Sequence, residues 1–405
     1  MTVERFHAAL DRHVADLEAK GTAKGAEAVI TGVLRGDEAR GPRYLLDGEG
    51  DKPFVKMNSN NYLGLSLHPR ILAAEEAATA EFGAGPGAVR FISGTYRQHT
   101  LLEERLAAFH GRESGMISSS AYATILGVLV PLIDKETTVI SDELNHNCII
   151  NAMRLSRPKE KRIYKHLDMA DLEKALAEGT GRRALVVTDG IFSMRGSHGP
   201  LAEIVELARK YDDRYPENAV VVVDDSHGVA AFGETGRGTE EHTGARADVL
   251  VGTLGKGLGV NGGYVVGSGS LTRYLRETAP TYIYSNPITV GECAAAVEAL
   301  AIVDSDEGRE RLAHLRAMTR RFEEGLVRHG FETLPGSHPV TPLMVRDTPR
   351  TAAMVQHLYD HGILATGLNY PVVPQGDQSI RFQISADHTA ADIDEVLGVL
   401  EAFGS

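Results

Sequence analysis

Apolar positions along this chain follow two patterns. Near the N-terminus Val3, Phe6, Leu10, Val14 and Leu17 recur at helical spacing among polar neighbours, with Thr2 placed to cap them. The spacing predicts an amphipathic arm that packs on a partner surface or on the body of the protein. From about residue 55 the pattern changes. Uninterrupted apolar runs, Thr138–Ser141, Ala184–Thr188, Val220–Val223 and Val249–Gly252, alternate with helix-like segments such as Leu201–Tyr211. Continuous apolar runs suit strands covered on both faces, and the alternation predicts an α/β core with a mostly parallel sheet. A long helical stretch starts at Glu292–Asp304, and shorter strand and helix patterns follow. Three parts are expected: an N-terminal arm and segment (1–55), a large domain (56–289) and a smaller C-terminal α+β domain (290–405). Gly36–Lys52 is the least regular stretch.

Composition narrows the function classes. With 42% hydrophobic residues among 405, the chain can build a substantial core. Net charge is −13 and no basic run stands out, which argues against nucleic acid and anionic membranes as partners. Charges interrupt the first apolar positions, so the start does not read as a signal peptide. No stretch reaches the roughly 18 apolar residues of a membrane span. A cytoplasmic protein is expected. The two cysteines, Cys148 and Cys293, form no CxxC pair, so neither a disulfide framework nor a metal site is indicated.

The candidate chemistry sits where the apolar runs end. Val220–Val223 is followed by Asp224, Asp225, Ser226 and His227, and Val249–Gly252 by Thr253, Leu254, Gly255 and Lys256. Ligands of open α/β sheets collect at such strand ends. A desolvated lysine loses affinity for its proton and attacks carbonyls. A carboxylate can hold the proton of a cationic ring nitrogen. Lys256 and Asp224, 32 residues apart on successive strand ends, together match what pyridoxal 5′-phosphate requires: an amine for its aldehyde and an acid for its ring nitrogen.

Further motifs carry a resemblance. They are Asn60-Asn61-Tyr62-Leu63-Gly64-Leu65, Ser93-Gly94-Thr95 with His99, Ser141-Asp142 with Asn145-His146, Asp189-Gly190-Ile191-Phe192-Ser193-Met194 and Tyr370-Pro371-Val372-Val373-Pro374. With the two strand ends they make the chain resemble the α-oxoamine synthases, which are fold-type I pyridoxal-phosphate enzymes. Among these it is most similar to the 2-amino-3-ketobutyrate CoA ligases (glycine C-acetyltransferases). The resemblance implies a homodimer that condenses an amino acid, glycine favoured, with an acyl-CoA thioester, acetyl-CoA favoured. Another amino acid, an acidic one included, a carrier-protein thioester, and an aminotransferase or lyase activity stay open.

The resemblance also assigns roles. Lys256 would bind the cofactor and move the α-proton, Asp224 would face the ring nitrogen, and His146 would stack on the ring. His227 and Ser193 would hydrogen-bond near the phenolic oxygen or the substrate carbonyl. The phosphate would sit on the N–H groups of Ala121 and Tyr122 with the Thr253 hydroxyl, completed by Tyr284 and Ser285 of a second subunit. Arg381 would clamp the amino-acid carboxylate with help from Asn60. Two departures stand out. Ile125 occupies a position where relatives carry asparagine, and Arg195 replaces the acid of their FSMDG run. Arg195 and Arg97 are therefore candidates for contact with an acidic substrate group.

Overall fold

The computed structural model describes residues 3–20, 22–23, 25–334, 336–370 and 372–404. Three short strands come first: β1 (Ile30–Leu34), β2 (Arg43–Leu46) and β3 (Val55–Lys56). The central sheet contains β4 (Ser114–Ser118), β5 (Thr137–Asp142), β6 (Glu160–Tyr164), β7 (Arg183–Asp189), β8 (Ala219–Asp224), β9 (Val249–Thr253) and β10 (Gly263–Gly267). Their order is β4-β10-β9-β8-β7-β5-β6, and β10 alone runs against its neighbours. Each expected strand is present and longer by one or two residues, because the residues flanking the apolar runs, most of them polar, still pair in the ladder. β5 and β9 are buried at every position, the pattern of strands covered by helices on both faces.

The chain then runs through helices Val290–Val303 and Asp306–Arg328 into a second sheet. Its strands are β11 (Glu332–Thr333), β12 (Val340–Met344), β14 (Thr366–Leu368) and β15 (Ser379–Gln383), in the antiparallel order β11-β12-β15-β14. β13 (Ile363–Leu364) leaves this sheet and pairs in parallel with β3. The smaller C-terminal unit therefore holds the chain just before the large sheet begins.

Two expectations need correction. The N-terminal helix, Glu4–Ala19, buries no residue, and Phe6 is 62% exposed, so the arm does not pack on the body of this chain. Its proposed cap, Thr2, lies outside the described residues. Gly36–Lys52 is not irregular throughout: it contains β2, which pairs with β1 in a hairpin. Long-range contacts order this segment. Arg43 donates to the buried Asp392 carboxylate at 2.6 Å, and the N–H groups of Gly41 and Thr389 donate to the same group. Local pattern could not reveal a partner 349 residues away.

Among the described residues no helix is long and apolar enough to cross a membrane.

Burial works against the Asp392 charge, but the hydrogen bonds from Thr389, Arg43 and Gly41 hold its carboxyl below the usual range. A depressed folded-state value adds stability above the unfolded pKa, and that stability is lost as pH falls through the folded value. Removing one partner of a buried ion pair leaves the other charge uncompensated, which costs roughly 3 kcal/mol. Arg43→Met is therefore expected to lower unfolding free energy by that amount in urea titrations at pH 7, with a smaller difference near pH 3.

Candidate active site

β7 and β8 run in parallel register, with Asp189 opposite Asp224 at their C-terminal ends. Beyond β8 the two aspartates of the sequence part company, because successive side chains of an extended segment point to opposite faces. Asp224 lines a pocket with Asp189, His146, Cys148, Ser193, Ser226, His227 and Lys256. Asp225 turns away and accepts from the N–H and hydroxyl of Thr239 at 2.7 and 2.6 Å. Gly190, Gly228 and Gly238 crowd it so closely that a Cβ on any of them would lie 2.0–2.2 Å from a carboxylate oxygen. Asp225 is thus a buried structural acid. Desolvation, opposed by the Thr239 hydrogen bonds, pushes it up to about 7.

Desolvation also governs the groups in the pocket. It lowers the proton affinity of Lys256, while the charges of Asp224 and Asp189 pull the other way. Asp189 is fully enclosed; burial and the neighbouring Asp224 push its carboxyl well above the usual range. The backbone N–H of His146 donates to its Oδ2 at 3.0 Å, whereas Oδ1 is buried without a partner. Asn145 pins this corner: its amide donates to Val187 O at 2.8 Å and its Oδ1 accepts from Asp189 N at 2.9 Å. The Cys148 thiol lies 3.8 Å from Asp224 Oδ2 and 2.9 Å from His146 Nδ1. Burial and Asp224 raise its pKa, so it stays a thiol.

His146 caps the helix Asn147–Leu155, which fixes its ring at the pocket mouth. Burial lowers its proton affinity, against the pull of Asp224. His227 is buried, and desolvation with the cation of Lys256 keeps it well below the usual histidine range. Ala121 and Tyr122 open the helix Ala121–Leu132, capped by Ser120, so their N–H groups have no intrahelical partner. Thr253 Oγ1 donates to Gly262 O at 3.1 Å and accepts from Gly255 N at 3.1 Å. Ile125 is fully buried in the core, so its position makes no polar contact.

The C-terminal unit contributes Arg381 from β15. Its Nη1 donates to Ser193 O at 3.2 Å, and its Nε is buried without a partner. Asn60 Oδ1 accepts from the amide of Gln383, two residues along the same strand. The remaining predicted residues stay apart from this cluster. Tyr284 is 78% exposed and Ser285 partly so, and neither lines the pocket. Arg195 pairs with Asp377 at 2.5 Å and borders a separate cleft with His166 and His198. Arg97 is exposed on the helix Arg97–Phe109 and pairs with Glu104 at 3.2 Å.

Residues 52–400 match the family described as aminotransferase class I and II. The 8-amino-7-oxononanoate synthase of Thermosipho melanesiensis is 40% identical over 371 residues, 91% of this chain and 92% of that protein. The same enzyme of Bacillus pumilus is 41% identical over 357 residues, 87% of this chain and 88% of that one. The chain belongs to this family, among its α-oxoamine synthases. Its fold is that of the type I pyridoxal-phosphate-dependent transferases, with a mostly parallel central sheet and a smaller C-terminal domain. Serine palmitoyltransferase of Sphingomonas wittichii superposes with a TM-score of 0.88 at 27% identity, covering 100% of this chain and 98% of that one. These relatives carry the family and the reaction class, but not the narrower likeness to glycine C-acetyltransferases.

Sequence reading named Asp189, Asn145 and Tyr62 only as parts of motifs, and gave Cys148, Ser226 and Gln383 no role in the site. Asp189 had a usable signal, since it ends the strand next to the one that ends in Asp224. Gln383 had none, because its partner Asn60 lies 323 residues away.

Arg97 and Arg195 are already paired with carboxylates outside the pocket. Arg97→Ala is therefore expected to leave the ranking of amino-acid substrates unchanged in turnover assays, and a changed ranking would bring Arg97 back to the substrate.

Proposed function

We propose that this α-oxoamine synthase uses pyridoxal phosphate to join an amino acid to an acyl thioester, forming a carbon–carbon bond and releasing the thiol. The observation that carries the reading is the pocket itself: a lysine of weakened proton affinity facing Asp224, with the arginine Nε of β15 left unpaired beside it. The donor set fits the cofactor. Lys256 supplies the amine for its aldehyde, Asp224 the acid for its ring nitrogen, and the N–H groups of Ala121 and Tyr122 the donors for its phosphate, whereas the Thr253 hydroxyl gives its proton to Gly262 O. The buried, partnerless Ser226 Oγ and Asp189 Oδ1 are polar atoms that an apolar ligand would leave unsatisfied.

When bound, the cofactor supplies an electron sink for the pair released at the amino-acid α-carbon. The chain does the rest. Arg381 holds the substrate carboxylate through two donors, with Asn60 alongside. Lys256 Nζ removes the α-proton, and burial lowers that amine's own proton affinity. His146, held by the cap of its helix, would stack on the cofactor ring. His227, kept neutral, presents an N–H to the carbonyl oxygen on which charge develops, and Ser193 sits on the same wall. Tyr284 and Ser285, turned away from their own pocket, serve the phosphate of a partner subunit in a homodimer.

The relatives move the substrate reading away from glycine and acetyl-CoA. In 8-amino-7-oxononanoate the ketone and the amine flank the bond such an enzyme would form. Splitting the molecule there leaves a seven-carbon acyl unit with a distal carboxylate, and a fragment that equals alanine without its carboxyl group. Alanine with a carboxyl-ended acyl thioester is accordingly favoured here, with loss of carbon dioxide.

Free-thiol release tests this reading. Purified, cofactor-loaded enzyme is offered acetyl-CoA, pimeloyl-CoA or a pimeloyl carrier-protein thioester, each with glycine, alanine or serine. Fastest release is expected for alanine with a pimeloyl donor. Lys256→Ala should cut release roughly a thousandfold or more and abolish the visible absorbance of lysine-linked cofactor. Pyridoxamine phosphate accumulating without thiol release would instead mark an aminotransferase.

A further inference from the structure

The Tyr62 hydroxyl sits 2.7 Å from His227 Nδ1 and 3.3 Å from Asn60 Oδ1. It has one proton to give. The first distance is normal for an O–H donor and the second is long. Asn60 Oδ1 also already accepts from the Gln383 amide. We infer that Tyr62 is a positioning residue that donates to His227 Nδ1 and so fixes the tautomer with the proton on Nε2, the N–H that faces the pocket. The inference rests on the reaction proposed above for what that N–H does, but not for the tautomer itself.

Three further observations support the assignment. Tyr62 is fully buried, and desolvation raises its pKa, so the phenol keeps its proton. His338, the other ring packed against both residues, cannot supply or take the proton at Nδ1. Its own Nδ1 accepts from Val340 N–H at 3.1 Å, which leaves Nε2–H to donate to the His227 backbone carbonyl at 2.8 Å. Finally, among the described residues no side chain or backbone group bonds His227 Nε2, although the ring lines the pocket. A neutral imidazole has one donor and one acceptor, and the bond at one nitrogen decides the role of the other. With the opposite tautomer a lone pair would point at the carbonyl oxygen that gathers negative charge.

The lock also links the two parts of the protein. Gln383 holds Asn60 from β15, the strand that carries Arg381 two residues earlier. The strand that supplies the substrate's arginine thus also occupies the rival acceptor of the Tyr62 hydroxyl.

The test uses cofactor-loaded enzyme labelled with ¹⁵N-histidine, with His227→Gln identifying the His227 signals by difference. The parent is expected to show Nδ1 unprotonated and Nε2 protonated. In Tyr62→Phe, which keeps the buried ring, the two shifts should move toward each other. The kcat for thiol release should fall roughly tenfold while the amino-acid KM stays within twofold. Asn60→Ala removes the rival acceptor and should leave the His227 shifts of the parent. Retained cofactor absorbance shows that each variant is folded. A parent protonated at Nδ1, Tyr62→Phe shifts identical to the parent, or an altered tautomer in Asn60→Ala would each overturn the inference. If the parent releases no thiol from any donor, the functional reading fails, while the nitrogen shifts still decide the tautomer.

Discussion

Desolvation at the C-terminal ends of β7 and β8 sets the chemistry of this protein. A lysine, two carboxylates and two histidines line one pocket at these strand ends. Burial lowers the proton affinity of Lys256 and His227 and raises that of Asp189. Parallel register creates the arrangement by bringing Asp189 and Asp224 side by side. Asp224 adds its charge to burial in raising Asp189, and both carboxylates pull Lys256 toward its protonated form.

The same strand ends separate function from structure. Asp224 and Asp225 are adjacent in sequence, yet the pleat sends one into the pocket and the other into a nest of three glycines and Thr239. Crowding by Gly190 and Gly228 ties the loops after β7 and β8 to the buried carboxylate of Asp225. Gly190 and Gly228 thus serve close packing behind the pocket, while Asp189, Asp224 and His227 line it.

Catalysis of the proposed kind also requires the C-terminal unit. β15 supplies Arg381, β3 pairs with β13, and Arg43 reaches Asp392. The last two contacts join segments from opposite ends of the chain, so the unit that carries Arg381 is tied to the N-terminal segment at two places. The exposed N-terminal helix and Tyr284 lie outside this framework.

The sequence by itself determined the α/β core, the strand ends that carry Asp224, His227 and Lys256, and the kinship that makes pyridoxal phosphate the cofactor. These were legible because burial on both faces writes continuous apolar runs into a strand, and because ligands gather where such runs stop. Only the tertiary structure decided which of two adjacent aspartates faces the pocket, that Arg97 and Arg195 are spent on Glu104 and Asp377, and that β2 is ordered by Asp392. It alone brought Gln383, Asn60, Tyr62 and His227 into one hydrogen-bonded chain. Side-chain hydrogen bonds between residues hundreds of positions apart leave no periodic trace in a sequence. They depend on how the layers pack, which local pattern does not encode.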